Sequence, residues 1–198
     1  MSQPIPPIAV LVSHHVADYD AWKNAFDGHQ AARVQASCLG HHINRGADDS
    51  NTVHLYCPAT DVEKLKAFID SSELAEAMRA AGVDAPPTIR LMEPKEADFI
   101  PDQKVAGLIV AHEVEDYDAW KAVYDDTAKL RKDNGIIGHA VNTVLGKPNH
   151  VLVYHQANDV ETLQAFLDLP ALQEDMQRAG VKGEPEIHFV QVADFADY

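Results

Sequence analysis

Cysteine is nearly absent from this sequence: Cys38 and Cys57 are the two in 198 residues, and they form no CxxC pair. That excludes a disulfide-stapled scaffold and a zinc-finger site. Long apolar runs are missing as well. No stretch approaches the roughly 18 consecutive apolar residues of a membrane span. The opening "MSQPIPPIAVLVSHH" lacks a basic n-region, and its apolar run is too short for a signal peptide, so a cytoplasmic location is expected. Positive charge is in short supply, with 16 Lys and Arg against 31 Asp and Glu, a formal net charge of −15. Phosphate groups are bound by basic surfaces, so neither nucleic acid nor an anionic membrane is expected as a partner. The acidic excess reads as a solvated surface. No GxSxG elbow and no phosphate-cradling glycine loop is found.

What the chain does have is a repeat. The hexapeptide "DYDAWK" stands at 18–23 and again at 116–121. Adding 98 to a residue number lands on its counterpart: Trp22 on Trp120, Gly40 on Gly138, Asn51 on Asn149, Phe68 on Phe166 and Met78 on Met176. Positions 8–90 against 106–188 give 33 identities in 83 without a gap. The period exceeds the roughly 20–50 residues of solenoid repeats, so these are two domain-sized copies.

Each copy reads strand, helix, strand, strand, helix, strand. The first strand is "IAVLVSH" or "AGLIVAH". Asp18 or Asp116 is placed to N-cap the first helix, with Trp22, Phe26, His29 and Arg33 at helical spacing behind it. "GADDSN" and "LGKPN" are turn chemistry between strands two and three. Asp61 or Asp159 starts the second helix, which breaks near Ser71–Ser72 or Pro170. A βαββαβ unit is a four-stranded antiparallel sheet with both helices on one face. Its bare face needs a cover, and the other copy is the available one. The expected division is residues 1–95 as unit one, 96–104 as a connector within the charged, proline-bearing stretch 93–104, and 105–198 as unit two.

The segments "LVSHHVADYDAWKNAFD" and "IVAHEVEDYDAWKAVYD", followed by "DVEKLKAFIDSSELAEAMRAAGV" and "DVETLQAFLDLPALQEDMQRAGV", resemble the dimeric α/β-barrel superfamily, which includes antibiotic biosynthesis monooxygenase-like proteins. The resemblance spans almost the whole chain as two tandem copies. It implies an α+β fold in which two ferredoxin-like units pack sheet to sheet, here as a fused dimeric α/β barrel. It also implies small-molecule chemistry such as cofactor-free oxidation of aromatic polyketides, cyclisation, haem degradation or chlorite breakdown. The superfamily contains many members of no known activity too.

Alternation sorts the candidate site residues. Val53 and Leu55 read as facing the helices, which sends His54 and Tyr56, or Leu152 and Tyr154, to the other face. Strand four likewise sends Arg90 and His188 there, and Asn44 and Asn142 are candidates to join them from strand two. His14 and His112 close the first strand, and His41 and His139 open the second. Histidine titrates near neutral pH and suits acid–base work, and tyrosine and asparagine orient or polarise a carbonyl or phenol. The expected catalytic set is His14, His112, Tyr56 and Tyr154, with Asn44, Asn142, His54, Arg90 and His188 binding substrate. The same residues also suit a polar network or strand-end histidines bonded to backbone. Trp22 and Trp120 read as core anchors, and Asp18, Asp20, Asp116 and Asp118 as caps and helix-dipole partners. Adjacent histidines such as His14–His15 point to opposite faces and lack metal-ligand spacing, so no metal and no bound cofactor is expected. Two functional readings follow: a monooxygenase- or cyclase-type enzyme acting on an aromatic or polyketide-like molecule, or a non-catalytic module that binds a ligand or self-associates.

Overall fold

A computed structural model describes residues 5–100 and 105–198. By contact density the chain divides into two units. The first comprises Pro6–Met92 with Ala193–Tyr198, and the body of the second is Glu93–Val192. The last four residues of the stretch read as a connector, 101–104, lie outside the described residues.

The first unit contains β1 (Ile8–His15), α1 (Tyr19–Gly28), α2 (Gln30–Gln35), β2 (Gly40–Gly46), β3 (Thr52–Ala59), α3 (Val62–Ile69), α4 (Ser72–Ala80) and the beginning of β4 (Thr88–Asp98). The second contains β5 (Ala106–Val114), α5 (Tyr117–Asp126), α6 (Ala128–Asp133), β6 (Gly138–Val144), β7 (Lys147–Ala157), α7 (Val160–Leu167), α8 (Pro170–Arg178) and most of β8 (Val181–Asp197). β1 pairs antiparallel with β3 and β4, and β5 with β7 and β8. Each unit is thus the expected ferredoxin-like βαββαβ, with each helical segment in two pieces.

The element starts follow from local chemistry. Asp18 accepts a hydrogen bond from the Ala21 amide at 2.7 Å, and Asp116 from that of Ala119 at 2.8 Å. These bonds satisfy amides that have no partner inside the helix. Trp22 and Trp120 are buried one turn on, which supports their reading as anchors. The first helical segment, expected to run through Arg33, instead breaks at His29 and at its counterpart Thr127. The break leaves a carbonyl for the arginine that follows. Arg33 Nη1 donates to the Phe26 carbonyl at 2.5 Å, and Arg131 Nη1 to that of Tyr124 at 2.6 Å. A cation at a helix C-terminus also meets the negative end of the helix dipole.

The expected fused dimeric α/β barrel of two four-stranded sheets packed face to face is corrected in its strand pairing. The strands form one eight-stranded sheet in the order β1-β3-β2-β8-β5-β7-β6-β4. The reason lies in β4 and β8, of 11 and 17 residues, which are long enough to leave the unit they begin in. Residues 93–98 continue β4, and Ala193–Tyr198 belong to the first unit. Gly40 and Gly138 record these passages. A Cβ on Gly40 would collide with the Ala196 carbonyl, and one on Gly138 would come within 3.0 Å of Phe99 Cα and 3.2 Å of the Asp98 carbonyl. No helix is long and apolar enough to cross a membrane among the described residues.

Candidate functional site

In the first unit, alternation along β1 turns Val10, Val12 and His14 towards the helices, and β3 adds Leu55 and Cys57. Trp22 and Phe26 of α1, Arg33 of α2, Leu65 and Phe68 of α3 and Met78 of α4 close over them. They enclose a half-open, mainly apolar cavity of about 80 Å³. Few polar groups reach it, and their states follow from burial.

His14 is 6% exposed, and neither ring nitrogen has a hydrogen-bond partner. Its ring lies 5.4 Å from that of Trp22. Burial penalises the imidazolium and lowers its pKa from 6.5 to about 4, so the ring is neutral at pH 7. Arg33 is 5% exposed, and its guanidinium carbon stands 3.5 Å from the centroid of the Phe26 ring. Its Nε donates to Tyr198 Oη at 2.6 Å, and no carboxylate pairs with it among the described residues. Cys38 and Cys57 are free, buried and hydrogen-bonded to each other. That bond holds the Cys38 thiol below its ordinary value, with help from Arg33, and raises Cys57, which burial raises further.

The second unit has the same scaffold with different filling. His112 repeats His14: both ring nitrogens lack partners, Trp120 is 5.7 Å away, and burial lowers its pKa to about 4. Cys57, however, is replaced by His155, Cys38 by Ile136 and Val10 by Leu108. The buried His155 ring lies 5.6 Å from that of Phe166 and 6.1 Å from that of Tyr124, whose hydroxyl is 3.3 Å from Nε2. Burial pushes its pKa down to about 3. Ile136 and Leu108 join Leu163 and Phe166 in a packed apolar cluster. Larger side chains thus occupy this place in the second unit.

The other predicted residues lie on the sheet face away from the helices. In the first unit the register sets Tyr56 opposite Leu11 and His42, His54 opposite Ser13 and Asn44, and Arg90 opposite Leu11. Cross-strand partners share a face, so Asn44, His54, Tyr56 and Arg90 are gathered there. Ser13 Oγ bonds His54 Nδ1 at 2.9 Å. In the second unit Tyr154 pairs with Ile109 and Ala140, Asn142 with Leu152, and His188 with Ile109, again on one face. His188 Nε2 bonds Glu186 at 2.9 Å. Burial raises the phenol pKa of Tyr56 and Tyr154, so both stay protonated. The expected catalytic set is therefore not brought together: His14 and His112 face the helices, and Tyr56 and Tyr154 face away.

Sequence reasoning missed the carboxylates that β4 and β8 carry. Asp194 accepts from Lys23 Nζ and His41 Nε2, both at 2.9 Å, and Glu96 accepts from Lys121 at 2.8 Å and His139 at 2.6 Å. Burial raises both carboxyl pKa values, but these bonds outweigh it and leave them below the usual range. Tyr198 Oη, accepting from Arg33, lies 2.8 Å from His41 Nδ1 and donates to it. The signal was available, because Glu96 and Asp194 are themselves 98 residues apart. The lysine of "DYDAWK" is held by a carboxylate from a strand that crosses between units. Among the described residues no three His, Cys, Asp or Glu side chains converge as a metal site.

Neither a protein-family model nor a curated protein sequence matches the chain. Solved structures do. An anthrone oxidase-like protein superposes with a TM-score of 0.71 at 15% identity, over 96% of this chain and 92% of the other. A monooxygenase-like protein from Listeria innocua gives 0.58 at 8% identity, over 96% of both chains. An uncharacterized ferredoxin fold protein related to antibiotic biosynthesis monooxygenases, from Listeria monocytogenes, gives 0.57 at 7% identity, over 96% of both. Identities this low show a shared fold and nothing of the reaction. The superfamily assignment suggested by sequence is corrected to the fold alone: the chain shares a ferredoxin-like fold with these proteins, its strands forming one continuous sheet.

Proposed function

We propose that this protein binds a small aromatic or polyketide-like molecule bearing an acidic hydroxyl or carboxyl group, in the helix-side cavity of its first unit. The observation that carries this reading is His14, whose two unpaired ring nitrogens line an apolar cavity beside a guanidinium that lacks a carboxylate among the described residues. Buried polar groups normally have partners, and an unsatisfied one costs about 1–3 kcal/mol. A ligand oxygen that bonds His14 recovers that cost, and Arg33 favours the ionised form of the same oxygen. Trp22, Phe26 and Phe68 supply the apolar wall for a ring. A base with a pKa of about 4 is a weak proton acceptor at pH 7, which favours binding over proton abstraction at this cavity. Titration with phenol and with benzoate, followed by NMR, tests it. His14→Phe should weaken binding at least about tenfold, equivalent to about 1.4 kcal/mol. Equal affinity in wild type and variant would refute the assignment.

A second reading places monooxygenase- or cyclase-type chemistry on the face away from the helices. It is favoured by the grouping there of Asn44, His54, Tyr56 and Arg90, and of Asn142, Tyr154 and His188. Phenols held protonated by burial are hydrogen-bond donors to a developing oxyanion. Turnover of an aromatic substrate that is lost in Tyr56→Phe but kept in His14→Phe would select this reading over the first. Turnover kept in Tyr56→Phe and in Tyr154→Phe would exclude it.

A further inference from the structure

Cys38 and Cys57 come from different elements, yet both line the same cavity and their thiols bond each other. Cys57 lies in β3, and Cys38 forms an isolated bridge with Ala59 of the same strand. The counterparts in the second unit are Ile136 and His155, so the second unit carries no matching dithiol. Arg33, from the same wall, supplies a buried cation.

We propose that Cys38 and Cys57 form a redox-active dithiol, in which a small hydroperoxide entering the cavity oxidises Cys38 and Cys57 resolves the product to a disulfide. The two thiols are unequal, as such a pair requires. The bond from Cys57 and the Arg33 charge favour the Cys38 thiolate, while Cys57 stays protonated. The Cys38 thiolate attacks one peroxide oxygen, and the O–O bond breaks. The leaving hydroxide or alkoxide takes up the proton that Cys38 released. Sulfur is oxidised to sulfenic acid and the peroxide is reduced to water or alcohol. Cys57 sulfur then attacks the sulfenic sulfur, the S–O bond breaks, and water leaves carrying the Cys57 proton. Two thiols and one hydroperoxide give one disulfide, one water and one further water or alcohol. This step needs no aromatic ligand and stands apart from the binding reading.

The experiment treats the reduced full chain with hydrogen peroxide at pH 7, then maps peptides without reduction. The expected result is a Cys38–Cys57 disulfide with loss of both free thiols in the folded protein. In Cys57→Ser, dimedone should label Cys38, and in Cys38→Ser, Cys57 should stay unlabelled. Circular dichroism establishes that each variant is folded, and Cys38→Ala and Cys57→Ala replace any that is not. The proposal is overturned if both thiols survive peroxide in the folded wild type but oxidise after unfolding in urea. Dimedone labelling of Cys57 in Cys38→Ser would overturn it equally.

Discussion

Stability should fall steeply between pH 6.5 and 4, and His14 should carry a measurable share of the loss. In the unfolded chain a histidine titrates near 6.5, whereas folded His14 titrates at about 4 because burial disfavours its charge. Between those values the unfolded state binds the extra proton, so stability rises with pH through the window and is lost as pH falls. From the two pKa values, His14 alone costs about 2 kcal/mol at pH 5 and about 3 kcal/mol below pH 4. Above pH 7 both states are neutral there and its contribution vanishes. His112 and His42, at about 4, and His155, at about 3, act in the same direction. Four such groups together rival the roughly 5–15 kcal/mol by which domains are stable, so acid unfolding is expected inside this window. The assay is urea unfolding followed by circular dichroism at half-unit steps from pH 7.5. His14→Phe should reduce the loss between pH 7 and 5 by about 2 kcal/mol. It should also leave stability at pH 7 equal or higher, because two unpaired nitrogens leave the core. A wild type with flat stability from pH 7 to 5, or a His14→Phe variant with undiminished pH dependence, would refute the reasoning.

Further predictions test the cavity and the crossing strands. Cys38→Ile with Val10→Leu imports second-unit filling and should raise stability by about 1 kcal/mol in urea melts while abolishing benzoate binding. Gly40→Ala drives a Cβ into the Ala196 carbonyl and should cost about 3 kcal/mol; an unchanged urea midpoint would mean that the end of β8 does not lie there. Asp194→Ala removes the acceptor shared by Lys23 and His41, which are partly and fully buried. The expected cost by calorimetry is about 1 kcal/mol, with a similar cost for Glu96→Ala.

Much of each unit was legible residue by residue. Asp18 and Asp116 announced a capped helix, Trp22 and Trp120 an anchor, and Ser71 and Pro170 a restart, because these signals act within a few residues. Alternation in β3 sorted His54 and Tyr56 from Val53 and Leu55, since a strand has a fixed period of two. The same rule, applied to β1, would have set His14 beside Val10 and Val12 and apart from Tyr56. The grouping of His14 with Tyr56 failed because shared residue chemistry was allowed to stand in for a shared face.

The sequence by itself determined the duplication, the βαββαβ order within each copy and the pairing of positions 98 residues apart. Those are properties of local propensity and of comparison along the chain. The tertiary structure alone decided that β4 and β8 run on into one eight-stranded sheet. It alone delivered Asp194 and Glu96 to the lysines of the repeated hexapeptide. It also decided that Cys38, Cys57, His14 and Arg33 meet around one cavity. The physical reason is common to all three. Strand pairing and cavity formation depend on which distant segments approach, and on the volumes of side chains that meet only after folding.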